Sequence, residues 1–287
     1  MTRRVALLGK PLGRRHSQVM HDAAFDACGI DARYVLMELE PDEIEAAVDA
    51  ARGPGWLGLG VTAPYKRVVG GLVDEVERDA DRIGAVNNVV RRDDGTLLGF
   101  NSDAPGFSAG VEATMGRTLS GARVVVAGAG GAAHAVVYAC RLAGAASVTV
   151  GNRTVASAEA LARRFAAVAG ASGTIEGVTL GGPAFMAALE TADLAVNATT
   201  VGMVDPGMTI DVDLLPGDAT VFDLVYVPAE TPLLRAARGR GLRSSNGSEM
   251  LVNQAAIAFE RWTGIGEMAA VMRAAVAPLL ADATVTA

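Results

Sequence analysis

The stretch ARVVVAGAGGAAHAVVYACRLAGAASVTVGNRT, Ala122–Thr154, decides the fold of this chain. Its apolar run Val124–Ala127 predicts a buried strand, and the glycine-rich turn Gly128–Ala133 follows at once and opens an alanine-rich helix. A second apolar run then ends at Gly151. Strand, glycine turn, helix and strand in this order predict a βαβ unit of the Rossmann type, which binds a dinucleotide. A tight turn without a ligand is the alternative interpretation.

The residues of this turn also predict how the nucleotide is held. Without side chains, backbone N–H groups and the N-terminus of a helix can approach a pyrophosphate closely. The second strand ends in Arg153 and its neighbours rather than in an acidic residue that would bind the 2′-hydroxyl of NAD. We therefore expect NADP as the cofactor, with NAD as the alternative, unless Arg153 only caps a turn. The predicted contacts are Gly128, Ala129, Gly130, Gly131, Ala132, Asn152, Arg153 and Thr154.

Composition excludes several classes of protein. The chain has 287 residues, 51% of them hydrophobic, and its net charge of −7 argues against a nucleic-acid surface, which needs a basic face. Two cysteines and three scattered histidines do not have the spacing of a metal site. The opening apolar run is too short for a secretory leader, and charges or glycines interrupt every candidate membrane span. We expect a cytoplasmic protein without a metal or a membrane partner.

The first hundred residues alternate between strand-like and helix-like pieces. Asp93-Asp94-Gly95 lies between two apolar runs and predicts a hairpin, so this sheet is expected to be mixed. Helices are predicted to begin near Val19 and to span Arg67–Val73, and Gly170–Gly177 is predicted to be a loop. The sequence thus predicts a two-domain α/β protein. Residues 1–104 form a substrate domain with a mixed sheet, 105–247 a nucleotide domain, and 248–287 helices that return to the first domain.

Polar residues follow several strands of the first half. Thr62 and Lys66 follow one strand, Asn87 begins another, and Asp103 follows a third. Side chains at strand ends can meet in one cleft, where a lysine and a carboxylate can exchange a proton with a substrate. From their spacing alone, each of them is more readily interpreted as a surface residue than as a catalytic one.

Nine motifs in order make the chain similar to the shikimate dehydrogenase family, including its quinate relatives. They are Gly9–Asp22, Gly60–Lys66, Gly84–Asn88, Gly99–Asp103, Gly128–Ala133, Asn152–Thr154, Asn197–Met203, Asp223–Leu234 and Met250–Gly264. The resemblance implies reversible hydride transfer between NADP(H) and a ring carbon, which interconverts 3-dehydroshikimate and shikimate. It implies that the partner is a small cyclic hydroxy acid.

The resemblance also implies a role for each matching residue. Lys66 would carry the proton at the reacting oxygen, and Asp103 would pair with it and bind the substrate. Substrate contacts would come from Ser17, Arg15, Thr62, Asn87, Gln254 and Tyr226, the last of which would close the cleft. Further cofactor contacts would come from Thr199, Leu224, Gly247 and Met250.

Departures from the motifs leave the substrate open. Arg15 stands where the family has the first of two serines, Gly60 replaces an asparagine, and Ser102 replaces a threonine. Glu249 replaces a glycine, and Ser157 replaces a basic residue that helps to bind the 2′-phosphate. Arg15 either binds a carboxylate through two hydrogen bonds or points to solvent and leaves that task to Ser17 and Thr62.

Several alternatives therefore stay open from the sequence. The substrate is shikimate, quinate, an aminated shikimate or another hydroxylated ring acid. The cofactor is NADP, with NAD as the alternative. A non-catalytic ligand sensor on the same fold is a further hypothesis, against which the intact Lys66 and Asp103 argue. A monomer and a homodimer are both compatible with the sequence.

Overall fold

A computed structural model describes residues 2–168 and 173–281, and these form two compact units. One unit is Met1–Ser102 together with Val252–Leu279, and the other is built on Asp103–Leu251. Each unit has its own six-stranded sheet. The chain therefore folds around two sheets, as predicted for a two-domain α/β protein.

The sheet of the first unit is mixed, as predicted. Its strands are β1 (Arg3–Gly9), β2 (Ala32–Glu38), β3 (Trp56–Val61), β4 (Glu75–Val76), β5 (Asn88–Arg91) and β6 (Leu97–Phe100). They lie in the order β2-β1-β3-β5-β6-β4. The first three strands are parallel, and β5 is antiparallel to both β3 and β6. The turn at Asp93–Gly95 joins β5 to β6, so the predicted hairpin is confirmed.

Helices cover both faces of this sheet. They are α1 (His16–Ala27), α2 (Ile44–Ala50), α3 (Arg78–Ile83), α9 (Ser248–Thr263) and α10 (Ala269–Ala281). In the register, Val5 pairs with Tyr34 and with Gly58, so these residues share one face. On that face the indole Nε1 of Trp262 in α9 donates to the carbonyl of Val89 at 2.9 Å. The C-terminal helices thus return to the first unit, as predicted.

The sheet of the second unit is parallel throughout. Its strands are β7 (Arg123–Ala127), β8 (Ser147–Asn152), β9 (Thr174–Thr179), β10 (Leu194–Asn197), β11 (Thr220–Asp223) and β12 (Arg243–Asn246). Its helices are α4 (Asp103–Met115), α5 (Gly131–Leu142), α6 (Val155–Phe165), α7 (Pro183–Leu189) and α8 (Pro232–Gly239). The order β9-β8-β7-β10-β11-β12 reverses direction between β7 and β10. A doubly wound sheet binds its ligand at such a reversal, beyond the carboxyl ends of the strands.

Three local predictions were wrong. The first helix begins at His16 rather than near Val19, so Ser17 lies in its first turn and not in a loop. Only one 3-10 turn, Val69–Gly71, forms where a helix over Arg67–Val73 was expected, because two consecutive glycines disfavour a longer helix. The loop predicted at Gly170–Gly177 contains the start of β9, while its residues 170–172 lie outside the described part.

In the described part of the chain, no helix combines the length and apolar character that a bilayer span requires.

Candidate active site

A buried group of polar side chains lies at the carboxyl edge of the first unit's sheet. Asn87 and Asn88 are each 4% exposed, and Ser102 is fully buried. The Nδ2 atoms of the two asparagines donate to the hydroxyl of Ser102, at 3.2 Å from Asn87 and 2.8 Å from Asn88. Asn87 Oδ1 accepts from Nδ2 of Asn88 at 2.9 Å and from the backbone N–H of Ser102 at 2.8 Å. These bonds fix the amide of Asn87, which the sequence predicted as a substrate contact.

Ser102 also fixes the orientation of Gln254, a second predicted substrate contact. A serine hydroxyl has one proton and two lone pairs, and the two asparagines occupy both lone pairs. The proton is therefore donated to Oε1 of Gln254, at 3.2 Å. With its oxygen on Ser102, the amide of Gln254 has its nitrogen directed away from Ser102. A fully buried serine thus orients two amides that the sequence assigned to the substrate.

Thr62 and Lys66 lie on the short segment that follows β3. The backbone N–H of Thr62 donates to Leu8 at 2.9 Å and continues the ladder between β1 and β3. The carbonyl of Lys66 accepts from the backbone N–H of Val86 at 2.8 Å, so the segment is held at both ends. Both side chains are half-buried. The first unit therefore carries both residues beside the buried asparagines at one edge of its sheet.

Ser17 and Arg15 differ in their surroundings. Ser17 is half-buried in the first turn of α1, which begins beyond the carboxyl end of β1. Arg15 precedes the helix, is exposed, and its Nε donates to Oε1 of Gln18 at 2.9 Å. The Nε2 of the same Gln18 donates to the carbonyl of Tyr34 at 3.1 Å. The guanidinium of Arg15 is thus bound to Gln18 at the start of α1.

The glycine turn of the second unit lies at the reversal of strand order. Gly128 has φ +110°, and a Cβ on it would lie 2.9 Å from the carbonyl oxygen of Ala198 and from Cγ2 of Thr199. A Cβ on Gly130 or Gly131 would instead meet no atom within 4 Å. Gly130 precedes α5 without any side chain that caps its N–H groups. The turn thus leaves an open helix N-terminus, which fits a dinucleotide pyrophosphate.

Arg153 lies at the carboxyl end of β8, where a nucleotide ribose would be bound in this fold. It is exposed, and within the described residues its guanidinium forms neither an ion pair nor a hydrogen bond. The neighbouring Asn152 donates from Nδ2 to the carbonyl of Thr154 at 3.0 Å. An exposed cation at this strand end fits a 2′-phosphate, and Ser157, also exposed, adds no charge to it.

A buried carboxylate holds the loops after β10 and β11. Asp223 is fully buried and accepts hydrogen bonds from Thr231 Oγ1 at 2.6 Å, Asn197 Nδ2 at 2.8 Å and the Val225 N–H at 3.0 Å. Burial raises the pKa of Asp223, and these hydrogen bonds oppose that rise. Asn197 Oδ1 in turn accepts from the hydroxyl of Thr199 at 2.7 Å. Asp223 therefore positions Thr199, a predicted cofactor contact.

The other predicted residues lie within Asp103–Leu251, which belongs to the second unit. Asp103 is the first residue of α4, where the helix dipole favours a carboxylate. Leu224 and Tyr226 follow β11 and are half-buried. A Cβ on the buried Gly247 would overlap the carbonyl oxygen of Leu224, so only glycine fits there. Met250 is half-buried near the start of α9.

Sequence reasoning missed Asn88 and Asp223 as site-supporting residues. Asn88 adjoins Asn87, and two consecutive amides at the start of an apolar strand were a usable signal. Asp223 ends an apolar strand, where a polar residue can serve a ligand or a loop. Only the pairing of β10 with β11 places Asn197 opposite Asp223 and reveals the structural role.

Comparison with known proteins decides the family. The shikimate dehydrogenase substrate binding domain matches residues 7–89, shikimate / quinate 5-dehydrogenase matches 111–201, and the shikimate 5'-dehydrogenase C-terminal domain matches 247–277. A shikimate dehydrogenase (NADP(+)) of Halobacterium salinarum is 41% identical over 270 residues, which cover 94% of this chain and 96% of the relative. The chain belongs to the shikimate dehydrogenase family.

Solved structures of this family have the same fold. Shikimate 5-dehydrogenase of Thermus thermophilus, in complex with NADP(H) and shikimate, is 35% identical with a TM-score of 0.84, covering 96% of this chain and 99% of that one. A quinate dehydrogenase of Corynebacterium glutamicum, in complex with NAD, is 34% identical with a TM-score of 0.88, covering 96% and 99%. The family thus includes relatives that differ in ring acid and in nucleotide.

Proposed function

We propose that this protein is an NADP-dependent shikimate dehydrogenase, which interconverts 3-dehydroshikimate and shikimate. Full-length similarity to shikimate dehydrogenases carries the proposal, because two relatives named shikimate dehydrogenase (NADP(+)) are 40% and 41% identical over 92% and 94% of the chain. The proposal places the protein in the biosynthesis of aromatic amino acids, which consumes shikimate. It also assigns the substrate to residues 1–104 and 248–287, and the nucleotide to residues 105–247.

The residues proposed to bind NADP either leave space for its pyrophosphate or supply positive charge to its 2′-phosphate. The open backbone of Gly128–Ala132 would hold the pyrophosphate, and Arg153 with Asn152 and Thr154 the 2′-phosphate. The nicotinamide end would contact Thr199, Leu224, Gly247 and Met250. When bound, NADP(H) supplies the acceptor or donor of the hydride at the ring carbon. A single arginine, with Ser157 in place of a second cation, supports a weaker preference for NADP over NAD.

The substrate-binding residues proposed here lie around the buried amide group. Asn87 and Gln254, oriented by Ser102, would bind ring hydroxyls, and Ser17 with Thr62 would bind the carboxylate. Arg15 stays a lesser candidate, because its guanidinium is engaged by Gln18. Tyr226 would cover the ring. Each of these groups binds and orients the acid so that one carbon faces the nicotinamide.

Lys66 is the proposed proton carrier. When the alcohol is oxidised, the hydroxyl proton passes to Nζ of Lys66 while the hydride leaves the same carbon. In reduction, the ammonium of Lys66 returns that proton to the carbonyl oxygen. Asp103 would pair with Lys66 and accept a hydrogen bond from the substrate hydroxyl. A positioned acid–base group of this kind contributes roughly 10²–10⁴ in rate.

A quinate dehydrogenase is the second candidate. The 34% identity to the quinate enzyme of Corynebacterium glutamicum supports it, as do the departures at Arg15 and Ser157. Quinate and shikimate share the ring carboxylate and the hydroxyl that is oxidised, so the residue roles are the same for both acids. The two candidates differ only in which acid is turned over faster.

Cellular location and assembly are further parts of the proposal. We infer a cytoplasmic protein, in which both cysteines would stay reduced. The thiol of Cys28 lies 3.5 Å from the sulfur of Met268, and burial raises the pKa of the Cys140 thiol to about 12. The predicted oligomeric state is a monomer or a homodimer, and multi-angle light scattering distinguishes the two.

Reduction of 3-dehydroshikimate by NADPH tests the proposed function. We expect NADPH absorbance at 340 nm to fall in step with the formation of one product, identified by chromatography as shikimate. Nucleotide binding without any oxidation of NADPH would instead support the ligand-sensor hypothesis and overturn the proposal.

A further inference from the structure

Tyr34 lies on the face of the first unit's sheet that α1 and α9 cover. Its ring stacks on the imidazole of His21, with centroids 4.6 Å apart and planes 17° from parallel. Its backbone N–H donates to Oδ1 of Asp22 at 2.8 Å, and its carbonyl accepts from Nε2 of Gln18 at 3.1 Å. Three residues of α1 therefore hold Tyr34 in one position.

The hydroxyl of Tyr34 reaches across the sheet to Gly60. A Cβ built on Gly60 would overlap this hydroxyl and would lie 3.5 Å from Cζ of the same ring. The tyrosine hydroxyl thus occupies the space that a side chain at residue 60 would fill.

Within the described residues, the hydroxyl of Tyr34 has no hydrogen-bond partner, although the residue is only 3% exposed. The hydroxyl oxygen is not fully enclosed by protein atoms, so it retains contact with open space. Burial raises the pKa of this phenol, which keeps it protonated and able to donate. A buried phenol normally has a hydrogen-bond partner.

The residues that Tyr34 contacts adjoin, along the chain, the residues proposed to bind the substrate carboxylate. Gly60, in β3, precedes Thr62 by two positions, and Thr62 follows the last residue of that strand. Ser17 precedes His21 by one helical turn on α1. The ring of Tyr34 stacks on His21 and its hydroxyl lies beside Gly60, so Tyr34 contacts both the helix that carries Ser17 and the strand that leads to Thr62.

We propose that the Tyr34 hydroxyl is a substrate-binding group of this enzyme, which donates a hydrogen bond to the carboxylate of the ring acid from the space above Gly60. This inference rests on the proposed function, because it needs a ring acid bound at Ser17 and Thr62. It makes the pair formed by Tyr34 and Gly60 a determinant of ring-acid affinity.

Tyr34→Phe tests the inference through steady-state kinetics with shikimate and with quinate. We expect the KM for the acid that is turned over to rise about 10- to 100-fold, since a hydrogen bond to a charged group is worth about 1.5–3 kcal/mol. The kcat should stay within about twofold, and the KM for NADP should not change. A purely structural role would instead lower the melting temperature without a selective effect on the acid.

Tyr65→Phe is the matched control. The hydroxyl of Tyr65 donates to the carbonyl of Leu39 at 2.5 Å, in the core on the other side of the same sheet. This variant should lose stability while the KM for the ring acid stays at the value of the unmodified enzyme. An equal rise of KM in both variants would overturn the inference.

A second pair of variants tests the packing. Gly60→Ala should lower the melting temperature in the presence of Tyr34, and by much less in the Tyr34→Phe background, where Cζ lies at 3.5 Å. Additive effects would overturn the placement of the hydroxyl above Gly60. If the unmodified enzyme turns over an acid and Tyr34→Phe leaves its KM unchanged, the inference fails and the proposed function stands. If the unmodified enzyme turns over neither acid, both fail.

Discussion

The hydroxyl of Ser102 donates to Oε1 of Gln254 across 3.2 Å and joins residues 152 positions apart in the chain. The same hydroxyl accepts hydrogen bonds from Asn87 and Asn88, so a single buried atom fixes three amides. Two of these amides, those of Asn87 and Gln254, are proposed to bind the ring hydroxyls. The geometry of the substrate site therefore depends on a residue that is not itself proposed to touch the substrate.

Ser102→Ala tests this dependence. Loss of the hydroxyl removes the acceptor of two buried N–H groups and the donor to Oε1 of Gln254, which should lower the free energy of unfolding by about 1–3 kcal/mol. The KM for shikimate should rise severalfold while the KM for NADP is unchanged. Urea unfolding and initial rates at 340 nm measure the two effects. In Ser157→Ala, an exposed serine on α6, neither quantity should change; equal behaviour of the two variants would contradict the account.

Lys66→Met tests the proton carrier. The substitution keeps the length of the side chain but removes the group that exchanges the proton, so kcat should fall by about 10²–10⁴. Shikimate and NADP should still bind, as measured by calorimetry. The sequence contains two lysines, and Lys10, exposed and paired with Glu40, provides the control Lys10→Met, which should keep full activity. Nearly unchanged turnover in Lys66→Met would disprove the assignment.

Gly130→Ala separates nucleotide binding from folding. A Cβ on Gly130 meets no protein atom within 4 Å, and its φ of −81° suits any residue. The melting temperature should therefore stay within about 2 °C, because surface substitutions away from special features change stability by less than about 0.5 kcal/mol. If the pyrophosphate approaches this backbone, the KM for NADP should rise at least tenfold. Gly128→Ala, with φ +110° and a contact at 2.9 Å, should instead destabilise the fold.

Arg153→Ala tests nucleotide preference. Because hydrogen bonds to charged groups are worth about 1.5–3 kcal/mol, kcat/KM for NADP should fall about 10- to 100-fold while the value for NAD changes little. Arg163→Ala, on α6 with Oε2 of Glu159 at 3.5 Å from its guanidinium, should leave the ratio of the two values unchanged. The claim fails if kcat/KM falls equally for both nucleotides.

His21 predicts a pH dependence of stability. Burial lowers its pKa from 6.5 to about 3, so the folded state holds the neutral ring while the unfolded state takes up a proton below pH 6.5. The stabilising contribution is complete above pH 6.5 and is lost as the pH falls towards 3. Between pH 7 and 4.5, this residue should account for about 2–3 kcal/mol of lost stability. Urea unfolding of His21→Phe should show that much less loss; parallel curves for the two proteins would exclude the effect.

The predictable parts of the fold were those set by local patterns. The glycine turn and its flanking strands predicted the parallel sheet, and Asp93-Asp94-Gly95 predicted the hairpin, because turn chemistry acts over a few residues. The start of β9 was missed because its exposed residues and Gly177 look like a loop. Its backbone instead pairs with β8, and a Cβ on Gly177 would overlap the backbone of α6 at Ala158.

The candidate site was predicted only residue by residue. Motif similarity pointed to Asn87 and Gln254, but no local pattern links them through Ser102, which the sequence presented only as a departure from a motif. The same holds for Tyr34 and Gly60, whose relation depends on the register of three strands. Contacts between residues far apart in the chain follow from packing, which spacing and propensity do not encode.

The ratio of kcat/KM for shikimate to that for quinate, measured with NADP in the same enzyme preparation, tests the central claim most directly. The account predicts NADPH formation with shikimate and a ratio well above one. Turnover of quinate alone, or no turnover of either acid by a protein that binds NADP, would contradict it.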